Sequence, residues 1–338
     1  MLIIKKTLLI LCIILTSAGS FAQNNDSIVS SRQDSISRSA ISYITRQFAI
    51  TRPLNIEFST VSPYNYTAKS DKGILAGGKM NGYSQIKANA TFNFIKKRNW
   101  LLGTTLGYRY TNVDAHINEE PTANSNSIHD NFHYQYSSLN FTYFSKFLDR
   151  TTIYTTNLIV DGSEKHFERV KGLISGTMVL KANERTKIMA GLALYIDPSL
   201  QVPLIPTFTL EHRFNNGLMA DIMFPSRVML RKHFFNKARL SLGTELDRTA
   251  FYLYNINPNN NSQKYEYRQI VLNNGLVYEH LLGENFVLTA RTGLKSIVIG
   301  RLFEKEESFG SPLIKVSQDP SFYFNIGISF NPFSKVNK

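Results

Sequence analysis

The chain has 338 residues, 38 Lys and Arg against 25 Asp and Glu for a formal charge of +13, and 17 Tyr and 23 Phe beside one Trp. Its single cysteine, Cys12, lies in a segment expected to be removed, which excludes a disulfide framework and thiolate chemistry from the mature protein. Nucleic acid is not the expected partner, because the basic residues are scattered singly among aromatics with no basic run; an anionic lipid surface or a small anionic solute suits this balance better.

Lys5 and Lys6 precede an apolar stretch from Thr7 to Leu15, and small residues follow up to Ser20-Phe21-Ala22. This is the pattern of a secretory signal peptide over residues 1–22, cleaved before Gln23 and too short in its apolar core to span a membrane. Leu11 stands where a lipoprotein signal would carry a small residue before Cys12. Processing takes the formal charge to +11, because Lys5 and Lys6 are lost. No Pro-, Gly- or Ser-rich linker divides the remainder, so one large domain is expected, and no later apolar run approaches the ~20 residues of a spanning helix.

Residues 23–50 are rich in Ser, Asp, Arg and Gln, with Ile36, Ala40, Ile41, Ile44 and Phe48 at spacings of three and four. They read as a mobile or helical periplasmic lead-in, with a lumen plug as the alternative. The domain proper is expected over 51–338. There the period changes to two. In "SQIKANATFNF", Ile86, Ala88, Ala90, Phe92 and Phe94 alternate with Gln85, Lys87, Asn89, Thr91 and Asn93, which is strand patterning. "TFTLEHRF" and "ARLSLGTEL" repeat it, with Phe208, Leu210, Leu240, Leu242 and Leu246 on one face and Glu211, Arg213, Arg239 and Glu245 on the other.

Short polar connections at 96–99, 148–151, 183–186, 215–217, 235–238 and 283–285 carry tight-turn residues. Longer polar stretches fall between them: "NVDAHINEEPTANSNSIHDN", "NINPNNNSQK" and "FEKEESFGSPLIKVSQD", expected as solvated loops. A meander whose connections alternate short and long, in segments near the ~9 to 11 tilted residues that cross a bilayer, predicts an all-β, antiparallel up-and-down transmembrane β-barrel. A spanning sheet must close so that every backbone group is paired. About fourteen strands are expected, or twelve if the hairpin at Phe224-Pro225-Ser226-Arg227 is absent. An even count puts both termini in the periplasm and the barrel in the cell outer membrane, against lipid and lipopolysaccharide. Aromatics near strand ends (Tyr108, Tyr110, Phe132, Tyr134, Phe251 to Tyr254, Phe330 and Phe333) are expected to form interfacial belts.

The final strand, "SFYFNIGISFNPF", puts Phe322, Phe324, Ile326, Ile328 and Phe330 on one face and Tyr323, Asn325, Gly327 and Ser329 on the other. With Phe333 it resembles the C-terminal signal read by barrel-assembly machinery. The Ala22-Gln23 junction, "LEHRFNNGLMADIMFPSRVMLRKHF" and "NIGISFNPF" together resemble the uncharacterised outer-membrane β-barrel families common in Bacteroidota, over roughly residues 52–333. That resemblance implies architecture and location, and brings no catalytic residue.

Other motifs have plain readings. "GILAGGKM", residues 73–80, matches a phosphate-loop spacing, but Met80 replaces the metal-binding Ser or Thr and a strand follows, so a flexible glycine-rich loop is expected. His129 and His133 are four apart in what reads as a loop entering a strand, which separates them by ~13 Å and argues against a metal site. No G-x-S-x-G or paired Ser and His supports a lipid hydrolase, so no enzyme, cofactor or metal is expected.

Charged residues within strands are more telling. A basic side chain facing lipid near the midplane costs ~2 to 4 kcal/mol, so Glu57, Arg109, Lys187, Glu211, Arg213, Asp221, Arg227, Arg231, Glu245, Asp247, Arg291 and Lys295 are expected to line the lumen. They either brace it through ion pairs or select solutes, with a mild anion preference if the pore is open. A passive channel or solute-uptake pore is the leading expectation. The alternatives are a closed structural or surface-interaction barrel and an outer-membrane lipid hydrolase.

Overall fold

The computed structural model describes residues 52–70, 73–119, 125–197, 203–234, 237–254, 263–305 and 311–330. The expected signal peptide, the 23–50 lead-in and Phe333 lie outside them. Sixteen strand segments follow in order: β1 (Leu54–Val61), β2 (Tyr64–Ser70), β3 (Gly73–Lys96), β4 (Trp100–Glu119), β5 (Ser125–Phe147), β6 (Arg150–Gly162), β7 (Phe167–Ala182) and β8 (Thr186–Ile196), then β9 (Leu204–Arg213), β10 (Leu218–Phe224), β11 (Arg227–Phe234), β12 (Ala238–Tyr254), β13 (Lys264–Leu282), β14 (Phe286–Glu304), β15 (Ile314–Gln318) and β16 (Ser321–Phe330).

Every pairing is antiparallel, and the sheet closes because β1 pairs with β3 on one side and β16 on the other. Two staves of the barrel are broken by proline, which has no N–H for the ladder. Pro63 separates β1 from β2 and Pro320 separates β15 from β16. The breaks adjoin each other and are bridged by Ser62 N–H donating to the Phe322 carbonyl at 2.8 Å and Asp319 N–H to the Asn65 carbonyl at 3.0 Å. Counting each broken pair as one stave gives a closed fourteen-strand barrel. The doubtful hairpin is present: β10 and β11 pair from Leu218↔Lys232 to Met223↔Arg227, which excludes twelve.

The two faces of the wall separate as alternation demands. Along β16, Phe322, Phe324, Ile326 and Ile328 are exposed while Tyr323, Asn325, Gly327 and Ser329 are buried. The same exposed apolar face continues through Leu54, Ile56 and Phe58 on β1, Ile86 and Phe92 on β3, and Leu240 and Leu242 on β12. Five described tight turns, the facing ends of β11 and β12 at Phe234 and Ala238, and the paired ends Leu54↔Phe330 share one end of the barrel.

Wall height is uneven. β3, β4 and β5 have 24, 20 and 23 residues, whereas β10 and β11 have 7 and 8. Three expected loops therefore hold strand, the 303–319 stretch supplying β15. Residues 73–80 belong to β3, and the polar stretch from Asn112 is a ladder extending β4 and β5 beyond the apolar belt. Cross-strand polar pairs hold it, such as Asn112 Nδ2 donating to Asn131 Oδ1 at 2.8 Å and His129 beside Asp114 at 3.4 Å. Polar composition marked solvation there correctly, but not irregularity, because a hairpin with water on both faces needs no apolar period.

Candidate functional site: a braced lumen

The inward face carries most of the charge, and it falls into three levels. Nearest the tight turns, Glu279 on β13 accepts Arg239 of neighbouring β12 at 2.5 Å and pairs with Arg52, just before β1. Asp221 on β10 holds Arg231 at 2.5 Å and Arg227 at 3.0 Å, both from the adjacent strand. Arg291 on β14 reaches Glu57 at 3.1 Å and Glu245 at 3.6 Å. These groups, Asp221 excepted, line a polar cavity of about 390 Å³. Lys187, Glu211 and Asp221 lie side by side on β8, β9 and β10, and Arg213 sits exposed at the mouth, in register with Met219 and Arg231.

At mid-height the pairs begin to cross the lumen. Asp247 on β12 pairs with Lys87 on β3 and lies 3.9 Å from Arg109 on β4, whose other nitrogen donates to the Arg248 carbonyl at 2.9 Å. β4 and β12 are six staves apart around a ring of fourteen. Lys295 completes this level over the ring of Tyr83, 4.7 Å from its centroid.

The third level closes the far end. Phe132 on β5 stacks on Phe251 on β12 with centroids 4.3 Å apart, although the two strands are seven staves apart in either direction and so diametrically opposite. Around this stack, Tyr252 Oη donates to the fully buried Asp161 of β6 at 2.9 Å, and Tyr134 Oη to the same carboxylate at 2.6 Å. Lys171 holds Asp161 at 2.5 Å. Arg169 on β7 meets Glu266 on β13 at 2.8 Å, Arg268 on β13 meets Asp197 at 3.3 Å, and Lys305 meets Glu168 at 2.7 Å.

The sheet can lean inward because Gly243, Gly275 and Gly293 stand side by side on β12, β13 and β14. A Cβ at Gly293 would come within 2.0 Å of the Asn274 carbonyl oxygen. Glycines in register thus let backbones approach where side chains would hold them apart. Phe132, Tyr134, Phe251 and Tyr252, expected in a lipid-facing belt, instead form this inner closure; Tyr108 stays on the outer surface beside His133.

The twelve charged residues singled out by alternation fall at inward register positions, and the structure joins Glu57, Arg109, Asp221, Arg227, Arg231, Glu245, Asp247 and Arg291 to ion-pair partners that alternation does not name. Alternation does not single out Asp161, Glu168, Arg169, Lys171, Asp197, Glu266 and Arg268, which lie at and above the upper edge of the apolar outer face, where the period of two weakens. Lys87, Arg239 and Glu279 did show the period.

No family model matches the chain, and no curated protein matches it. Among solved structures it is similar to an outer-membrane channel from Pseudomonas putida F1 (8% identity over 83% of this chain and 97% of that one, TM-score 0.32). It is also similar to the Pseudomonas putida toluene transporter TodX (9%, 84% and 90%, 0.34) and to the Escherichia coli outer-membrane protease OmpT (8%, 84% and 99%, 0.31). At these identities and scores the likenesses carry nothing about the role of this chain.

Proposed function

We propose that the chain is an outer-membrane β-barrel whose lumen is latched shut and admits small solutes only when the pairs across it part: a gated uptake barrel with periplasmic termini and no enzymatic role. The carrying observation is that opposite walls are bonded to each other, through Asp247 with Lys87 and Arg109 and through Arg169 with Glu266. An open pore has no use for such contacts, since each one occupies the path it would need to keep clear. The apolar outer face supports placement in a bilayer, and the uneven ends support a periplasmic side carrying the tight turns. Lumen bases exceed lumen acids among the twelve residues chosen by alternation, so a small anion is the proposed solute when the latch opens. Assembly machinery and outer-membrane lipid are the other proposed partners.

Planar-bilayer recording tests this. Wild-type protein should be silent or open rarely, whereas Glu266→Gln combined with Asp197→Asn should give discrete anion-preferring steps, because Arg169 and Arg268 lose their cross-lumen carboxylate partners. Steady conductance from wild type would refute the latch. Silence from the double variant would favour the second reading, a structural barrel closed throughout, for which the strand-to-strand braces around Asp221 and Glu279 already speak.

A further inference from the structure

Among the described residues, the barrel wall above the short β10–β11 hairpin is incomplete. β11 pairs with β12 only as far as Arg227↔Glu245, and β10 with β9 only as far as Phe224↔Phe208. Beyond those points β12 has a ladder partner on its β13 side alone, and Leu204–Thr207 of β9 on its β8 side alone. The opening lies at hydrocarbon depth by two observations. Strands of 7 and 8 residues fall just short of the ~9 to 11 that cross a bilayer, and the exposed apolar face of β8 and β9 continues above the hairpin tip through Leu192, Leu194, Ile196 and Leu204.

Behind the opening lies a cavity of about 510 Å³, with apolar walls from Ile159, Ile205, Ile270 and Ile299. A second, of about 530 Å³, lies against the hairpin tip and shares Tyr195, Ile205 and Arg248 with the first. Both are large enough for a ligand of moderate size. At their junction the Arg248 guanidinium lies 5.6 Å from the Tyr195 ring centroid. Among the described residues no carboxylate lies within ion-pair distance of it, whereas neighbouring Lys171 and Arg268 each hold two. The chamber is mostly apolar but is also lined by Asp197, which is engaged by Lys171 and Arg268, so the exposed Arg248, set at hydrocarbon depth without an ion-pair partner, calls for a ligand that brings both a negative group and hydrocarbon.

We propose that this side chamber binds a single-chain amphiphile with a carboxylate head, which enters sideways from the membrane over the β10–β11 hairpin, lays its chain along the isoleucines and sets its head on Arg248. One unopposed guanidinium matches a monoanion better than a dianionic phosphate ester. The inference rests on the membrane placement proposed above and is independent of whether the axial latch opens.

The test is equilibrium dialysis of radiolabelled dodecanoate and dodecanol against the full-length processed protein in lipid nanodiscs, with empty nanodiscs subtracted. Wild type should bind dodecanoate saturably at one site. Arg248→Gln should weaken dodecanoate at least tenfold and leave dodecanol within twofold, while Ala250→Phe, which fills the chamber, should weaken both. Each variant should keep its faster unboiled migration, as a check on folding. Equal dodecanoate binding by wild type and Arg248→Gln would overturn the head-group assignment, and no saturable binding above empty discs would overturn the chamber. A phospholipid retained in wild type and released by Ala250→Phe, with no dodecanoate binding, would also overturn it in favour of a structural lipid. Because conductance is not the readout, failure here leaves the latch standing, and an open wild-type channel leaves the chamber standing.

Discussion

The two ends of the lumen are held by the same residue types in different ways. Toward the tight turns, Asp221, Glu279, Glu57 and Glu245 are satisfied by bases on the same or nearby strands, so the contacts follow the wall around and leave space within it. Toward the far end, Asp161, Glu168, Asp197 and Glu266 meet groups from the other side, so the contacts cross the space itself. Pairs along a wall set how stiff the barrel is, and pairs across it set whether anything can pass.

Substitutions can break or sharpen that contrast. The largest single effect should come from Asp247→Asn, which leaves Lys87 and Arg109, side by side on β3 and β4, without their shared carboxylate from the opposite wall. The pair is only partly buried, so the loss should be about 3 kcal/mol, the low end of what breaking a fully buried pair costs; the temperature of conversion to the boiled form on a gel should fall and brief anion-preferring openings should appear. Leu242→Arg tests the outer face of the same strand. A base toward lipid costs ~2 to 4 kcal/mol, visible as poor assembly with no change in conductance. Asp221→Asn removes a charge from a pair along the wall. The expected loss is ~2 kcal/mol in denaturant titration, again without openings, and openings there would erase the distinction between the two ends. Tyr252→Phe is the mildest, losing one hydrogen bond to ionised Asp161 for ~1.5 kcal/mol, with more frequent openings in bilayer recordings than wild type.

Much of this was legible in the sequence, for a physical reason. Burial on one face only imposes a period of two, so strand existence, the outward face of "SFYFNIGISF" and the inward set from Glu57 to Lys295 could be read directly. Partnership could not. Lys87 and Asp247 are 160 residues apart and Arg169 and the Lys305 carbonyl 136, distances set by how the sheet rolls up, which no local pattern records. Beyond the apolar belt water wets both faces, so the Asn112 ladder looked like loop and the inner aromatics looked like a belt. The wall's low side was faintly visible in the short segments around Pro225, but only the ladder's early end shows that it leaves an opening.

The central claim is that opposite walls touch. The processed chain is expected to carry no native cysteine, so Phe132→Cys with Phe251→Cys gives a clean pair for a short bis-maleimide in intact outer membranes. The contact predicts rapid intramolecular cross-linking, seen as altered gel mobility, that is lost when Phe251→Cys is replaced by Leu242→Cys on the outward face. A correctly assembled barrel in which 132 and 251 label singly and never cross-link would contradict the account.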